Sequence, residues 1–353
     1  MQERTWAVVM AGGRGTRFWP RSRKSLPKQC LALTSDRTLI QETVDRIRPV
    51  VPPERVLVVT GPDMADTIRA QLPELPAGNV LVEPSGRNTA PCIGWAAVEI
   101  ERRGGGAMVV LPSDHRITDP ESFCDVVRAA LVAASSSGHL VLLGQTPDRP
   151  HTGYGYLAMG PVARSELGLP FHRVDRFIEK PSAERAAVLL EQGGVLWNGG
   201  MFVWTTEAIL RAFERHMPRS YAALRVIAGG ASVSERWLDL EATSIDYGVL
   251  EREADGLLAV PCAFGWSDLG SWEAMADVFP AGPLGHAQVA GGVAVDGGGH
   301  VVYAPDKVVA TVGVDGLIIV DTGDVLLVAR RSAAERLGVV LQRLEADGLG
   351  RLL

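Results

Sequence analysis

A short apolar run, Trp6-Ala7-Val8-Val9-Met10, passes directly into Ala11-Gly12-Gly13-Arg14-Gly15-Thr16-Arg17. Runs of this kind form buried parallel strands, and three glycines let the chain turn tightly and bring its N–H groups close to a ligand. The junction therefore points to a parallel sheet with a binding loop at a carboxyl edge, where such sheets place their ligands. From Arg4 to Ser35 there are seven Lys or Arg and no Asp or Glu, in a chain of formal net charge −6. A local cationic excess against the global balance focuses anions. Only four of the 35 cationic residues are lysine, namely Lys24, Lys28, Lys180 and Lys307, and two of these stand in this stretch. A compact ammonium suits a point contact to one phosphate oxygen. The loop reads as a cradle for a polyphosphate.

The rest of the first half supports an α/β reading. Strands are expected at Val56–Thr60, Asn79–Glu83, Ala107–Leu111 and Leu140–Gly144, with helices at Thr38–Arg48, Met64–Gln71, Thr89–Arg103 and Glu121–Ser135 between them. From about Gly153 the pattern becomes mixed. Strands are expected at Tyr154–Met159, Val174–Glu179 and Gly200–Trp204, and helices at Ala183–Gln192 and Glu207–Arg215. The glycines from Gly291-Gly292 to Gly297-Gly298-Gly299 suggest a boundary. Beyond it, short strands at Val301–Tyr303, Lys307–Val312, Gly316–Asp321 and Asp324–Val328 lead to a helix over Ala333–Glu345.

Two common phosphate loops do not fit. The Walker pattern requires Gly, four residues and Gly-Lys-Ser/Thr, and the third glycine of the dinucleotide fingerprint is replaced by Phe18. The pattern Gly12, Gly13, Gly15, Thr16, Arg17, Pro27 and Lys28 instead resembles the signature of the sugar-nucleotide pyrophosphorylases, a nucleotidyltransferase family. Arg87-Asn88-Thr89-Ala90-Pro91 and Ser244-Ile245-Asp246-Tyr247 resemble its mannose-1-phosphate guanylyltransferase branch. The resemblance runs almost to the end of the chain, through Leu317-Ile318-Ile319-Val320-Asp321.

The resemblance implies a Rossmann-like, mostly parallel sheet over residues 1–285, with a nucleotide half of about 1–150 and a sugar half of about 151–285. A small β-rich unit would follow at 286–353. It implies transfer of GMP from GTP to alpha-D-mannose 1-phosphate, giving GDP-mannose and pyrophosphate. Arg17 and Lys28 would be catalytic, and Ala11, Gly12, Gly13, Gly15, Thr16, Glu83, Asn88, Thr89 and Ser113 would bind the nucleotide. Tyr154, Gly155, Glu179, Lys180 and Asn198 would hold the sugar phosphate, and Asp246 would support them. Asp114, after the strand Ala107–Leu111, is by itself as well read as a helix cap as a metal ligand. With Asp268, set between Trp266 and Trp272, it matches the family's Mg2+ pair.

Other classes are disfavoured. A pI near 5.7 argues against nucleic acid as a general partner. Cys30, Cys92, Cys124 and Cys262 lack metal-ligand or CxxC spacing and read as reduced thiols of a cytoplasmic protein. The uncharged stretch 129–147 is broken by Ser135-Ser136-Ser137-Gly138-His139, so no membrane span is expected. A homodimer is expected, as is a monofunctional enzyme without the isomerase module of some bacterial relatives. The rival readings are a pyrophosphorylase for another sugar or base, and a non-catalytic subunit that senses GDP-mannose.

Overall fold

The protein is described by a computed structural model over residues 4–13, 15–253, 255–282 and 288–353. Arg14 of the glycine turn and the expected boundary at 285/286 lie outside the described residues. By internal contact the chain divides into two compact units. One comprises Met1–Gly12, Thr43–Ser113 and Ile117–Trp266, and the other Gly13–Glu42, Asp114–Arg116 and Ser267–Leu353. This grouping differs from the linear division at 285/286, because the opening loop packs with the C-terminal stretch.

In chain order the strands are β1 (Thr5–Met10), β2 (Val56–Thr60), β3 (Val80–Val82), β4 (Ala107–Pro112), β5 (Arg116–Ile117), β6 (Leu140–Gln145), β7 (Tyr156–Glu166) and β8 (Leu169–Ile178). They continue as β9 (Val195–Thr205), β10 (Leu257–Cys262), β11 (Trp266–Ser267), β12 (Gln288–Val295), β13 (Val301–Val312), β14 (Leu317–Asp321) and β15 (Leu326–Arg330). The helices are α1 (Leu39–Ile47), α2 (Ala65–Gln71), α3 (Thr89–Arg102), α4 (Pro120–Ser137) and α5 (Ala183–Gln192). After them come α6 (Thr206–His216), α7 (Pro218–Ala228), α8 (Val233–Arg236), α9 (Ile245–Gly248) and α10 (Leu337–Ala346). No helix among the described residues is long and apolar enough to cross a membrane.

The first unit is built on a nine-stranded sheet in the order β3-β2-β1-β4-β9-β6-β10-β8-β7. The strands β3, β2, β1 and β4 are parallel, with Val8 opposite both Leu57 and Val110. Their near-continuous Val and Leu content is what a strand covered on both faces requires. β9 then runs antiparallel between β4 and β6, β10 lies parallel to β6, and β8 and β7 finish the sheet antiparallel. The sheet is thus parallel through its first half and mixed beyond it. Trp204, Trp237, Phe202 and Phe213 are fully buried in its main core.

Three strand expectations need correction, the first being that Val301–Tyr303 and Lys307–Val312 are not separate strands but parts of the continuous β13. β9 starts at Val195, so Asn198 lies inside the strand and not before it; Gly144 of β6 pairs with Asn198 across a register shift. Pairing to β6 and β7 carries the strand through Gly199 and Gly200. Likewise β12 contains Gly291 and Gly292, paired with Val308 and Val309, where a boundary was expected. Val289, Val293 and Val295 supply the period-two pattern of the strand, and Gly297-Gly298-Gly299 form the break after it.

The second unit contains the sheet β12-β13-β14-β15, parallel across its first three strands and antiparallel at β15. Its core joins Phe18, Trp19, Leu31, Leu33 and Leu39 to Trp272, Met275, Tyr303, Ile318 and Val320. The rings of Phe18 and Trp272 lie 5.2 Å apart, Trp272 Nε1 donates to the Trp19 carbonyl (3.0 Å), and Trp19 Nε1 donates to the Leu352 carbonyl (2.6 Å).

Candidate active site

In the second unit the glycine loop is shaped from inside. Gly15 takes φ 58°, the left-handed region open to glycine at little cost, and a Cβ there would lie 2.5 Å from the backbone nitrogen of Lys28. Gln29, buried beside Lys28, donates from Nε2 to the Gly13 carbonyl (2.9 Å). Thr16 and Arg17 stand exposed.

The cations of this stretch divide by partner. Arg21 bonds the Tyr303 hydroxyl, Arg23 pairs with Asp324 (2.9 Å) and Lys24 with Glu345 (3.3 Å). These three serve packing against the C-terminal stretch, so the cationic excess is narrower as a phosphate cradle than the sequence implied. Lys28 differs. It is buried, its ammonium donates to the Asp268 carbonyl (2.6 Å), and it pairs with Asp114 Oδ2 (2.9 Å). Burial raises the Asp114 pKa, but Lys28 and then His115 outweigh that, and the carboxyl is held below the usual range.

The donor set can be matched against the needs of a divalent ion. Mg2+ is held by one or two carboxylates, with substrate phosphates and waters completing six oxygens. Asp114 and Asp268 stand in one unit, tied to each other through Lys28, and no larger group of His, Cys, Asp and Glu suited to a metal occurs among the described residues. Two carboxylates with phosphate oxygens suit Mg2+ and do not make a closed protein cage.

In the first unit the expected nucleotide residues gather at the carboxyl ends of β1, β3 and β4. The Ala11 amide donates to the Val59 carbonyl (2.8 Å), Thr60 Oγ1 donates to the Ala11 carbonyl (3.1 Å), and Ser113 is buried with its amide on the Met10 carbonyl (3.2 Å). A Cβ on Gly12 would lie 3.7 Å from Glu83 Oε2. Glu83 is only 4% exposed, its Oε1 has no hydrogen-bond partner among the described residues, and burial pushes its pKa up to about 7. Asn88 caps α3 through its side chain, which accepts from the Thr89 amide (2.9 Å) at φ 72°. The Thr89 hydroxyl accepts from the Ile245 amide (2.9 Å).

The expected sugar residues also lie in the first unit. Asn198 Nδ2 donates to Asp246 Oδ1 (2.8 Å), its Oδ1 accepts from the Gly200 amide (3.1 Å), and its own amide donates to the Gly155 carbonyl (2.8 Å). Gly155 is required here because a Cβ would meet Glu179 Oε2 at 2.5 Å and Asn198 Cβ at 3.3 Å. Glu179 pairs with Lys180 (3.0 Å), and its Oε2 is buried without a partner among the described residues. Burial, then the Asp246 charge, raises the Glu179 pKa, and burial raises that of Asp246. Tyr154 stacks on His151 (3.9 Å between centroids) and meets Trp197 and Trp266 edge-on. One face of the Tyr154 ring is therefore covered by protein.

Asp246, expected in a supporting role, is bonded directly to Asn198, whereas Glu251, which accepts from the Glu179 amide (3.3 Å), was not expected. Gln29 could have been suspected from its place beside Lys28, whereas nothing near Glu251 marks it.

The model of the nucleotidyl transferase family matches residues 6–282, and that of a MannoseP isomerase/GMP-like beta-helix domain matches 291–344. The mannose-1-phosphate guanylyltransferase ManC of Salmonella typhimurium is 36% identical over 360 residues, covering 98% of this chain and 74% of that protein. A mannose-1-phosphate guanylyltransferase of Sinorhizobium fredii is 36% identical, covering 96% of this chain and 68% of its own length. Among solved structures, a mannose-1-phosphate geranyltransferase from Thermus thermophilus is similar at a TM-score of 0.87 with 39% identity, covering 97% of this chain and 99% of that one.

Proposed function

The chain belongs to the nucleotidyltransferase family, within its mannose-1-phosphate guanylyltransferases, and on that premise we propose that it transfers GMP from GTP to alpha-D-mannose 1-phosphate. A phosphate oxygen of the sugar attacks the α-phosphorus of GTP in line. The new P–O bond forms as the bond to the β-phosphate's bridging oxygen breaks, and pyrophosphate leaves with that electron pair. No covalent enzyme intermediate is needed; the protein positions the groups and offsets charge.

The observation that carries this reading is Lys28, buried and bonded to both Asp114 and Asp268. Carboxylates would repel a polyphosphate; an ammonium paired with the Asp114 carboxylate and anchored on the Asp268 backbone carbonyl lowers that cost and keeps Asp114 ionised. Mg2+ bound by Asp114 and Asp268 would supply the remaining neutralisation of the phosphates. Arg17, exposed beside the loop, and the N–H groups of Gly13, Gly15 and Thr16 stabilise negative charge on the triphosphate. Ala11, Gly12, Glu83, Asn88 and Ser113 hold the nucleotide. Glu179 and Asn198 offer acceptors and an amide to sugar hydroxyls, Lys180 meets the sugar phosphate, and Tyr154 and Gly155 shape that pocket. Residues 1–285 are read as the catalytic part and 286–353 as its C-terminal support. A cytoplasmic homodimer belongs to the same reading.

A GDP-mannose sensor without activity is the weaker reading, since Arg17, Lys28, Asp114 and Asp268 are all present. Pyrophosphate release should be measured with a panel of nucleoside triphosphates and sugar 1-phosphates, with and without Mg2+. Turnover with GTP and mannose 1-phosphate that requires the cation is expected. None with that pair would sink the proposal.

A further inference from the structure

We propose that Thr89, although it sits in the segment assigned to the nucleotide, is a positioning residue for the sugar phosphate. The inference rests on the functional reading above and adds to it how one segment sets up the other substrate's residues.

The short helix α9 carries Asp246 as its second residue. The first N–H groups of a helix have no partner inside it, and the Ile245 amide is one of these. Ile245 is buried in the main core, so an amide without an acceptor there would be costly. Thr89 Oγ1 supplies the acceptor at 2.9 Å, and the next residue of α3 adds a second tie, from the Ala90 amide to the Thr243 carbonyl (3.1 Å). The first turn of α3 therefore clamps the start of α9 at two points. Two further bonds brace the same neighbourhood, Arg87 Nε to the Leu240 carbonyl (2.9 Å) and Trp237 Nε1 to the Ser85 carbonyl (2.6 Å).

From α9 the chain of bonds continues toward the sugar residues. Asp246 Oδ1 accepts from Asn198 Nδ2, and Asn198 Oδ1 accepts from the Gly200 amide. The Asn198 amide group is thereby held in one orientation, with one lone pair of its oxygen and one N–H engaged. Asp246 also lies within electrostatic reach of Glu179 and Lys180. A small displacement of α9 would move Asp246, release the Asn198 amide and disturb the Glu179–Lys180 pair. The Thr89 oxygen is aimed at α9, where it accepts from the buried Ile245 amide, so its loss should fall on the α9 side and not on the nucleotide segment to which the sequence assigned it.

The test is steady-state kinetics of pyrophosphate release by the full chain, with each substrate varied at saturation of the other. Thr89→Val keeps the side-chain shape and removes the acceptor, whereas Thr89→Ser keeps the acceptor. Thr89→Val should raise KM for mannose 1-phosphate on the order of tenfold, as loss of one buried hydrogen bond does, and leave KM for GTP within about twofold. Thr89→Ser should restore the wild-type value to within about threefold. Because the effect runs through Asp246, adding Thr89→Val to Asp246→Asn should raise KM little beyond the single Asp246 change. The inference is overturned if GTP KM rises instead, if both KM values rise together, if the serine variant fails to restore, or if the two changes are additive. Absence of turnover in the unaltered chain would instead overturn the functional reading, and this inference with it.

Discussion

Glu83 shows what a single residue can reveal. Its carboxyl is buried with one oxygen unbonded among the described residues, and burial lifts its pKa from the ordinary 4.5 to about 7. A raised folded-state value means that the folded protein holds the proton more tightly than the unfolded chain. The associated stability is complete below about pH 4.5 and is lost as pH rises through about 7. The gap corresponds to about 3 kcal/mol, most of it crossed between pH 5 and pH 8. Urea unfolding at those two pH values should show the wild type losing roughly 2–3 kcal/mol relative to Glu83→Gln. An equal pH response in both proteins would refute the assignment. At this scale sequence was informative about identity and silent about pairing. Asp114 and Asp268 stand out by their neighbours, but that Lys28 is buried and bonded to both depends on residues 240 positions apart.

At the scale of elements, the junction of β3 and α3 joins a strained backbone to a cap. Asn88 adopts φ 72° and ψ −172°, a region used almost only by glycine and costing about 1–3 kcal/mol for other residues. Its side chain offsets part of that by capping α3, a role that glycine fills with a loss of only a few tenths of a kcal/mol. Asn88→Gly should therefore stabilise the protein by roughly 1 kcal/mol while raising KM for GTP, because the proposed nucleotide contact goes with the side chain. A melting temperature that falls in this variant would show that the strain is not there to be released. Asn88 as a helix start was legible from Asn88-Thr89-Ala90-Pro91, since Asn caps and Pro91 fits the first turn. The extents of β9 and β12 were not. Glycines read locally as breaks, whereas partner strands on both sides of β9, and β13 beside β12, carry the pairing across them.

For the whole molecule, the glycine loop has its own hydrophobic support in residues remote in sequence. Phe18, Trp19, Leu31, Leu33 and Leu39 share one cluster with Val301, Tyr303, Ile318, Val320 and Leu337. A chain ending at Gly282 keeps the whole stretch matched by the nucleotidyl transferase family yet uncovers that cluster. We expect it to be cleaved by protease within residues 13–42 and to lose most turnover with GTP. Unchanged kinetics and protease resistance would show that the loop is held without residues 283–353.

Sequence alone determined the strand-and-glycine junction, the order of strands and helices through the first half, and the residue types needed to handle phosphate, metal and sugar. These follow from local causes: periodicity, turn chemistry, and charges that few other roles require. Tertiary structure decided how the cations are shared, sending Arg21, Arg23 and Lys24 to Tyr303, Asp324 and Glu345 while leaving Lys28 between two aspartates. It also turned the Thr89 hydroxyl toward α9 and Asp246 toward Asn198. Such pairings arise from long-range packing, where the cost of an unpaired buried group selects the partner, and that cost has no local trace in the chain.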